Sequence, residues 1–252
     1  MDGNSRSVTS PQPGPHVRLG ETVRRHMRSP WRRPVAAHTR EAFAALDERL
    51  DRSRPLVLDT GCGTGASSRI LSRRHPEARV IGIDKSADRL ARGAAGEEAS
   101  GEEAEGGEQA ADGSGPWLVR ADLQDFWRLA LAADWRPAHH YLLYPNPWPK
   151  PSAFGRRWHG HPVLPVILAL GGWIELRSNW ELYVREFALA LEIWGIASRI
   201  DVLESVPEEG ALTPFERKYL ASGQRCWRLQ AEPDPAPDRE RVLELAGPDP
   251  AM

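Results

Sequence analysis

A chain of 252 residues is long enough for one α/β domain of ordinary size with extra segments. No run of ~18 apolar residues occurs, which excludes a helical membrane span; the opening MDGNSRSVTSPQPGP lacks the apolar stretch of a secretory signal. Two cysteines, Cys62 and Cys226, make no disulfide framework and point to a reducing cytoplasm. The net charge of -2 conceals a segregation. Residues 93–116 hold seven acids and no base, and residues 232–252 hold six acids and two bases. The remainder carries 31 basic and 22 acidic residues, a net of +9, which fits a polyanionic partner.

Residues 1–15 are rich in Ser, Pro and Gly and are expected to be a disordered tail. Residues 16–50 form a basic arm with helices. Arginines 18, 24, 25, 28, 32, 33 and 40 stand there against the single acid Glu21 up to residue 40. That pattern suits either a solvated basic face or a nucleic-acid contact. A domain over residues 51–232 follows, in which strands and helices alternate. Strands are expected at 55–59, 79–84, 117–122, 138–144, 173–177, 196–206 and 225–231. Helices are expected at 67–75, with Ser67 as cap, at 87–93, at 123–132 and at 180–194, with Asn179 as cap. Residues 93–116 contain no apolar side chain larger than Ala and read as a disordered acidic insertion. Residues 233–252 read as a Pro-rich acidic tail. The alternation predicts an α/β fold: a mostly parallel seven-stranded sheet with helices on both faces. The last two strands lack a long crossover helix and predict an antiparallel edge hairpin.

Three carboxylates fall at the ends of successive strands. Asp59 precedes the glycine-rich turn Gly61-Cys-Gly63-Thr-Gly65, Asp84 closes the second strand, and Asp122 closes the third. Open α/β sheets bind ligands at such strand ends, and a carboxylate after the second strand accepts ribose hydroxyls. Gly61, Gly63 and Ala66 also satisfy the dinucleotide fingerprint. Asp59, directly before the glycines, suits a cationic amino-acid group better than a pyrophosphate, which favours S-adenosylmethionine over NAD. The fourth strand ends in Pro145-Asn-Pro-Trp-Pro-Lys150, a stiff turn that neither helix nor strand can continue. Trp148 there is either a structural residue or a platform for a base. Lys150, with Arg156 and Arg157 beyond it, is placed to meet phosphate.

The glycine loop, Gly82-Ile-Asp84, Arg120-Ala-Asp122, the PNPWPK turn, Gly171-Gly172, Ser178-Asn179-Trp180 and Thr213-Pro-Phe-Glu216 occur in one order. That order resembles the bacterial tRNA (guanine-N7)-methyltransferases over residues 16–231. The resemblance implies a Rossmann-like class I methyltransferase fold, S-adenosyl-L-methionine as cofactor, tRNA as partner, a cytoplasmic setting, and no membrane or metal. It implies cofactor contacts at Asp59, Gly61, Gly63, Gly65, Asp84 and Asp122. It places Asn146 at the reaction and Trp148, Lys150, Asn179, Thr213 and Glu216 at the target base. The family carries Asp in its P-D-P-W and T-D-W patterns, where this chain has Asn146 and Asn179. An Asn at the turn also suits an exocyclic amine as target. A tRNA-binding protein of the same fold without catalysis is a third reading, and an NAD-dependent oxidoreductase a distant fourth.

Overall fold

The computed structural model describes residues 5–95, 115–207, 210–234 and 236–248. Strands β1 (Leu56–Thr60), β2 (Arg79–Asp84), β3 (Trp117–Arg120), β4 (His139–Leu143), β5 (Trp173–Ser178), β6 (Ser198–Leu203) and β7 (Cys226–Ala231) form one sheet in the order β3-β2-β1-β4-β5-β7-β6. The first five run parallel, and β7 lies antiparallel between β5 and β6. Strand order reverses between β1 and β4, which opens a crevice at the carboxyl ends of the strands.

The central strands bury both faces, which is why they read as continuous apolar runs. Along β1, Leu56 and Leu58 enter the larger core while Val57 enters a smaller one with Leu71, Val80 and Tyr141. The larger core is closed by α1 (Leu19–His26), α2 (Ala37–Arg49), α5 (Leu123–Ala132), α6 (Leu164–Leu170), α7 (Glu181–Ile193) and α9 (Arg239–Ala246). Helix α3 (Ala66–Arg74) covers the other face through Leu71, and α4 (Ala87–Ala94) flanks β2 and β3. Helix α8 (Pro214–Ala221) packs on β7 beside Leu203 and Cys226. Among the described residues no helix is long and apolar enough to cross a membrane.

Several expectations are corrected. Residues 5–15 are not a free tail. Ser10 Oγ donates to Pro149 O at 2.6 Å, and Gln12 Nε2 and the His16 amide each donate to Glu186 Oε1 at 2.7 Å. A fully buried carboxylate requires donors, and Gln12 of this segment and His16 just after it provide two of them. Nor are residues 233–252 simply a tail: α9 buries Val242, Leu245 and Ala246, and buried Arg128 donates to Ala246 O and Gly247 O. Ser67 does not cap α3. Gly65, in the left-handed region, occupies that position, and Ser67 turns its hydroxyl to Asp59. Asn179 does not cap α7; Trp180 is the N-cap residue, and its amide bonds Ser178 Oγ. Most of the acidic insertion, residues 96–114, lies outside the described residues.

Candidate active site

The turn after β1 and the end of β2 form one unit. The Gly63 amide donates to Asp84 Oδ2 at 3.1 Å, the Ser86 amide donates to Oδ1 at 2.8 Å, and Arg89 approaches Oδ1 at 3.4 Å. The amides of Gly61 and Cys62 bond Ile83 O. Gly61 and Gly63 take φ of +90° and +62°, and a Cβ on either would stand in open space. Bare backbone therefore lines the crevice there, which lets a ligand approach closely.

Asp59 is buried beneath the loop and accepts from Ser67 Oγ at 2.6 Å and Ser68 Oγ at 2.7 Å. Burial raises its carboxyl to about 6, against the pull of the two serine hydroxyls. Asp122 caps α5 by accepting from the Gln124 amide, and its own amide donates to Thr39 Oγ1 of α2. A glycine cradle, a carboxylate locked at the second strand end and a third carboxylate at the next strand fit a nucleoside cofactor carrying a cationic amino-acid arm.

The turn after β4 is held under strain. Tyr144 and Trp148, at its two ends, take φ of +50° and +47°, a region that bulky side chains rarely adopt. Asn146 is exposed, and its Oδ1 accepts from the Trp148 amide at 3.2 Å, which forms an Asx turn. Two groups of Arg157 donate to Trp148 O, and the Arg156 guanidinium lies 4.6 Å from the Trp148 ring centroid. One face of the Trp148 ring is thus covered by Arg156. Lys150 and Arg156 are exposed. Arg157 is not placed for phosphate: it is fully buried and pairs with Glu186 Oε2 at 2.6 Å. Burial raises the Glu186 carboxyl, but His159, Arg157 and the His16 amide overcome it and hold the group at about 2. Burial lowers the pKa of His159 alongside, against the pull of Glu186.

At the end of β5, Asn179 is half-buried and its Nδ2 donates to Gln224 Oε1 at 3.1 Å. Thr213 caps α8 by accepting from the Glu216 amide. Glu216 is itself fully buried and accepts from Arg177 Nη1 and Tyr144 OH at 2.8 Å and from the Leu212 amide at 3.2 Å. The expected base contact at Glu216 is therefore not available on this surface, because three donors already occupy the carboxylate. Its effect is to bind α8 to the ends of β4 and β5. Ser68, Tyr144, Arg177, Gln224 and Glu186 were missed from the sequence. Each is a partner of a named site residue, and none carries a local motif.

The sheet order, the glycine cradle and the strand-end carboxylates define a class I methyltransferase. A family model described as a methyltransferase domain matches residues 57–111. A solved 16S rRNA (adenine(1408)-N(1))-methyltransferase from Catenulisporales acidiphilia, with cosubstrate SAM, superposes with a TM-score of 0.50 at 18% identity. The match covers 81% of this chain and 96% of that one. A tRNA (guanine-N(7)-)-methyltransferase of Anaeromyxobacter dehalogenans is 30% identical over 186 residues, 69% of this chain and 84% of the relative. One of Leifsonia xyli is 24% identical over 238 residues, 89% of this chain and all of the relative. The chain belongs to the tRNA (guanine-N(7)-)-methyltransferase family. Its cofactor is S-adenosyl-L-methionine.

Proposed function

We propose that the chain methylates N7 of a guanine in tRNA, in the cytoplasm, with S-adenosyl-L-methionine as donor. The observation that carries the reading is the adjacency of two rigid devices in the sheet. One is the glycine cradle locked to Asp84. The other is the strained Asn146–Trp148 turn on β4, the strand next to β1.

Bound in the cradle, the cofactor supplies an electrophilic methyl group on a sulfonium. Asp84 receives the ribose hydroxyls, Asp122 faces the adenine side, and Asp59 supplies negative charge for the amino-acid arm. Guanine N7 carries a lone pair and no proton, so no general base is required. The protein contributes placement. Asn146 commits one lone pair of Oδ1 to the Trp148 amide, and the second lone pair of Oδ1 and the Nδ2 group remain to position the base. Asn179 presents a second polar group from the next strand end. Exposed Lys150, Arg156, Arg24, Arg25 and Arg28 provide cations for the tRNA backbone. Single-turnover methylation of unmodified tRNA, with the product nucleoside identified by mass spectrometry, tests the proposal. 7-Methylguanosine is the expected product. An N-methylamino base, or no product despite binding of cofactor and tRNA, overturns it.

A further inference from the structure

Asn179 stands where an acceptor is wanted, yet an amide offers a donor on one side and an acceptor on the other. What faces a ligand depends on which end the protein engages. Here the choice is made by a chain of hydrogen bonds whose first member has one polarity only. The carbonyl oxygen of Ser5 can only accept. Gln224 meets it with Nε2, at 2.7 Å. Gln224 therefore turns Oε1 the other way, and Asn179 must meet that oxygen with Nδ2, at 3.1 Å. With Nδ2 turned to Gln224, one of its hydrogens is used and Oδ1, an acceptor, is the end of the amide directed away from Gln224.

The first link is itself held. The Ser5 amide donates to Ser222 Oγ at 3.3 Å, and Ser222 Oγ donates to Lys218 O at 2.7 Å, so the segment is fastened to the end of α8. All three members of the relay line one cavity of about 920 Å³, with Trp180, Ser222 and Trp227. We propose that Gln224, oriented by the backbone of Ser5, is a positioning residue that fixes the flip of the Asn179 amide, so that Oδ1 and not Nδ2 is the end offered to the target base. The relay gives a neutral Asn the hydrogen-bonding sense that a carboxylate has at any orientation. It also ties base selection to the seating of the N-terminal segment. This rests on the base-contact role given to Asn179 above.

The test is a double-mutant cycle of Gln224→Leu and Asn179→Asp. It is read as single-turnover rates on unmodified tRNA at saturating cofactor, with melting temperatures in parallel. In the native background, Gln224→Leu frees the Asn179 amide and should slow methylation by about tenfold, the size of one lost oriented hydrogen bond. In the Asn179→Asp background every oxygen accepts, and Gln224 Oε1 faces like polarity. There, Gln224→Leu should leave the rate unchanged or raise it. Gln224→Lys keeps a donor for Ser5 and removes the acceptor, so it should reproduce the loss in a chain that keeps a polar side chain at this site. Equal losses in both backgrounds, or no loss in the native one, overturn the relay while leaving the base contact standing. If Asn179→Ala alone leaves the rate and the tRNA KM unchanged, the base-contact reading of Asn179 fails, and the relay with it.

Discussion

Gly63 lies in the turn after β1 and Asp84 ends β2, yet the amide of one donates to the carboxylate of the other at 3.1 Å. The carboxylate expected to take the cofactor ribose is thus also the clamp that shapes the glycine loop. Asp84→Ala removes both effects. A hydrogen bond to a charged group contributes about 1.5–3 kcal/mol, so affinity for S-adenosylmethionine should fall at least about tenfold. Titration calorimetry on the folded variant checks this, and unchanged affinity removes Asp84 from the site.

Asp59 should make cofactor binding depend on pH. Its carboxyl lies at about 6 in the folded chain against 3.8 for an ordinary aspartate. Between those values the folded chain retains a proton that the unfolded chain has released, so this group's contribution to stability falls as pH rises through the window. A cationic arm prefers the ionised form. Cofactor affinity should therefore rise as pH increases from 5 to 7, with proton release on binding, and Asp59→Asn should flatten the profile. Calorimetry in buffers of different ionisation enthalpy measures the proton directly. A flat profile in the native protein counts against contact between Asp59 and the arm.

Glu186 should be the main anchor of residues 5–16. Removing it leaves the Arg157 charge buried with no counter-ion, which typically costs about 3–5 kcal/mol. Glu186→Ala should lower the urea midpoint strongly and make the N-terminal segment sensitive to limited proteolysis. The carboxyl is held at about 2 against 4.5 for an ordinary glutamate. Its contribution is therefore present above pH 4.5 and lost as pH falls toward 2. A protease-resistant segment in a folded Glu186→Ala chain contradicts the assignment.

Asn146→Asp restores the carboxylate of the wider family without disturbing the turn, because Asp Oδ1 accepts from the Trp148 amide equally well. A carboxylate favours the cationic 7-methylguanine product electrostatically. The single-turnover rate should hold or rise, with 7-methylguanosine still the product. A fall of tenfold or more would mean that the donor Nδ2 of Asn146 is what the base requires.

The sheet and much of its ligand crevice were legible in the chain. Buried parallel strands impose continuous uncharged runs such as Val80–Ile83, and the glycines and carboxylates at strand ends are adjacent to them in sequence because strand ends are local features. Asp59 and Asp84 could be placed for that reason before any coordinates. The tertiary structure alone decided which polar groups those residues meet. Ser5 reaches Gln224 across 219 positions, and Gln12 reaches Glu186 across 174. Composition marked residues 1–15 as a disordered tail, yet Ser5, Ser10 and Gln12 hydrogen-bond to distant residues and Val8 packs against the larger core. Gln12 meets a buried carboxylate and Ser5 a half-buried amide, and such polar pairings have no period. Arg157 looked like a phosphate contact beside Arg156, yet only the packing of α7 sends it inward to Glu186. Periodicity records which face is buried, because burial acts on every residue of an element. Hydrogen-bond polarity acts on single pairs, so it is settled only when distant segments meet.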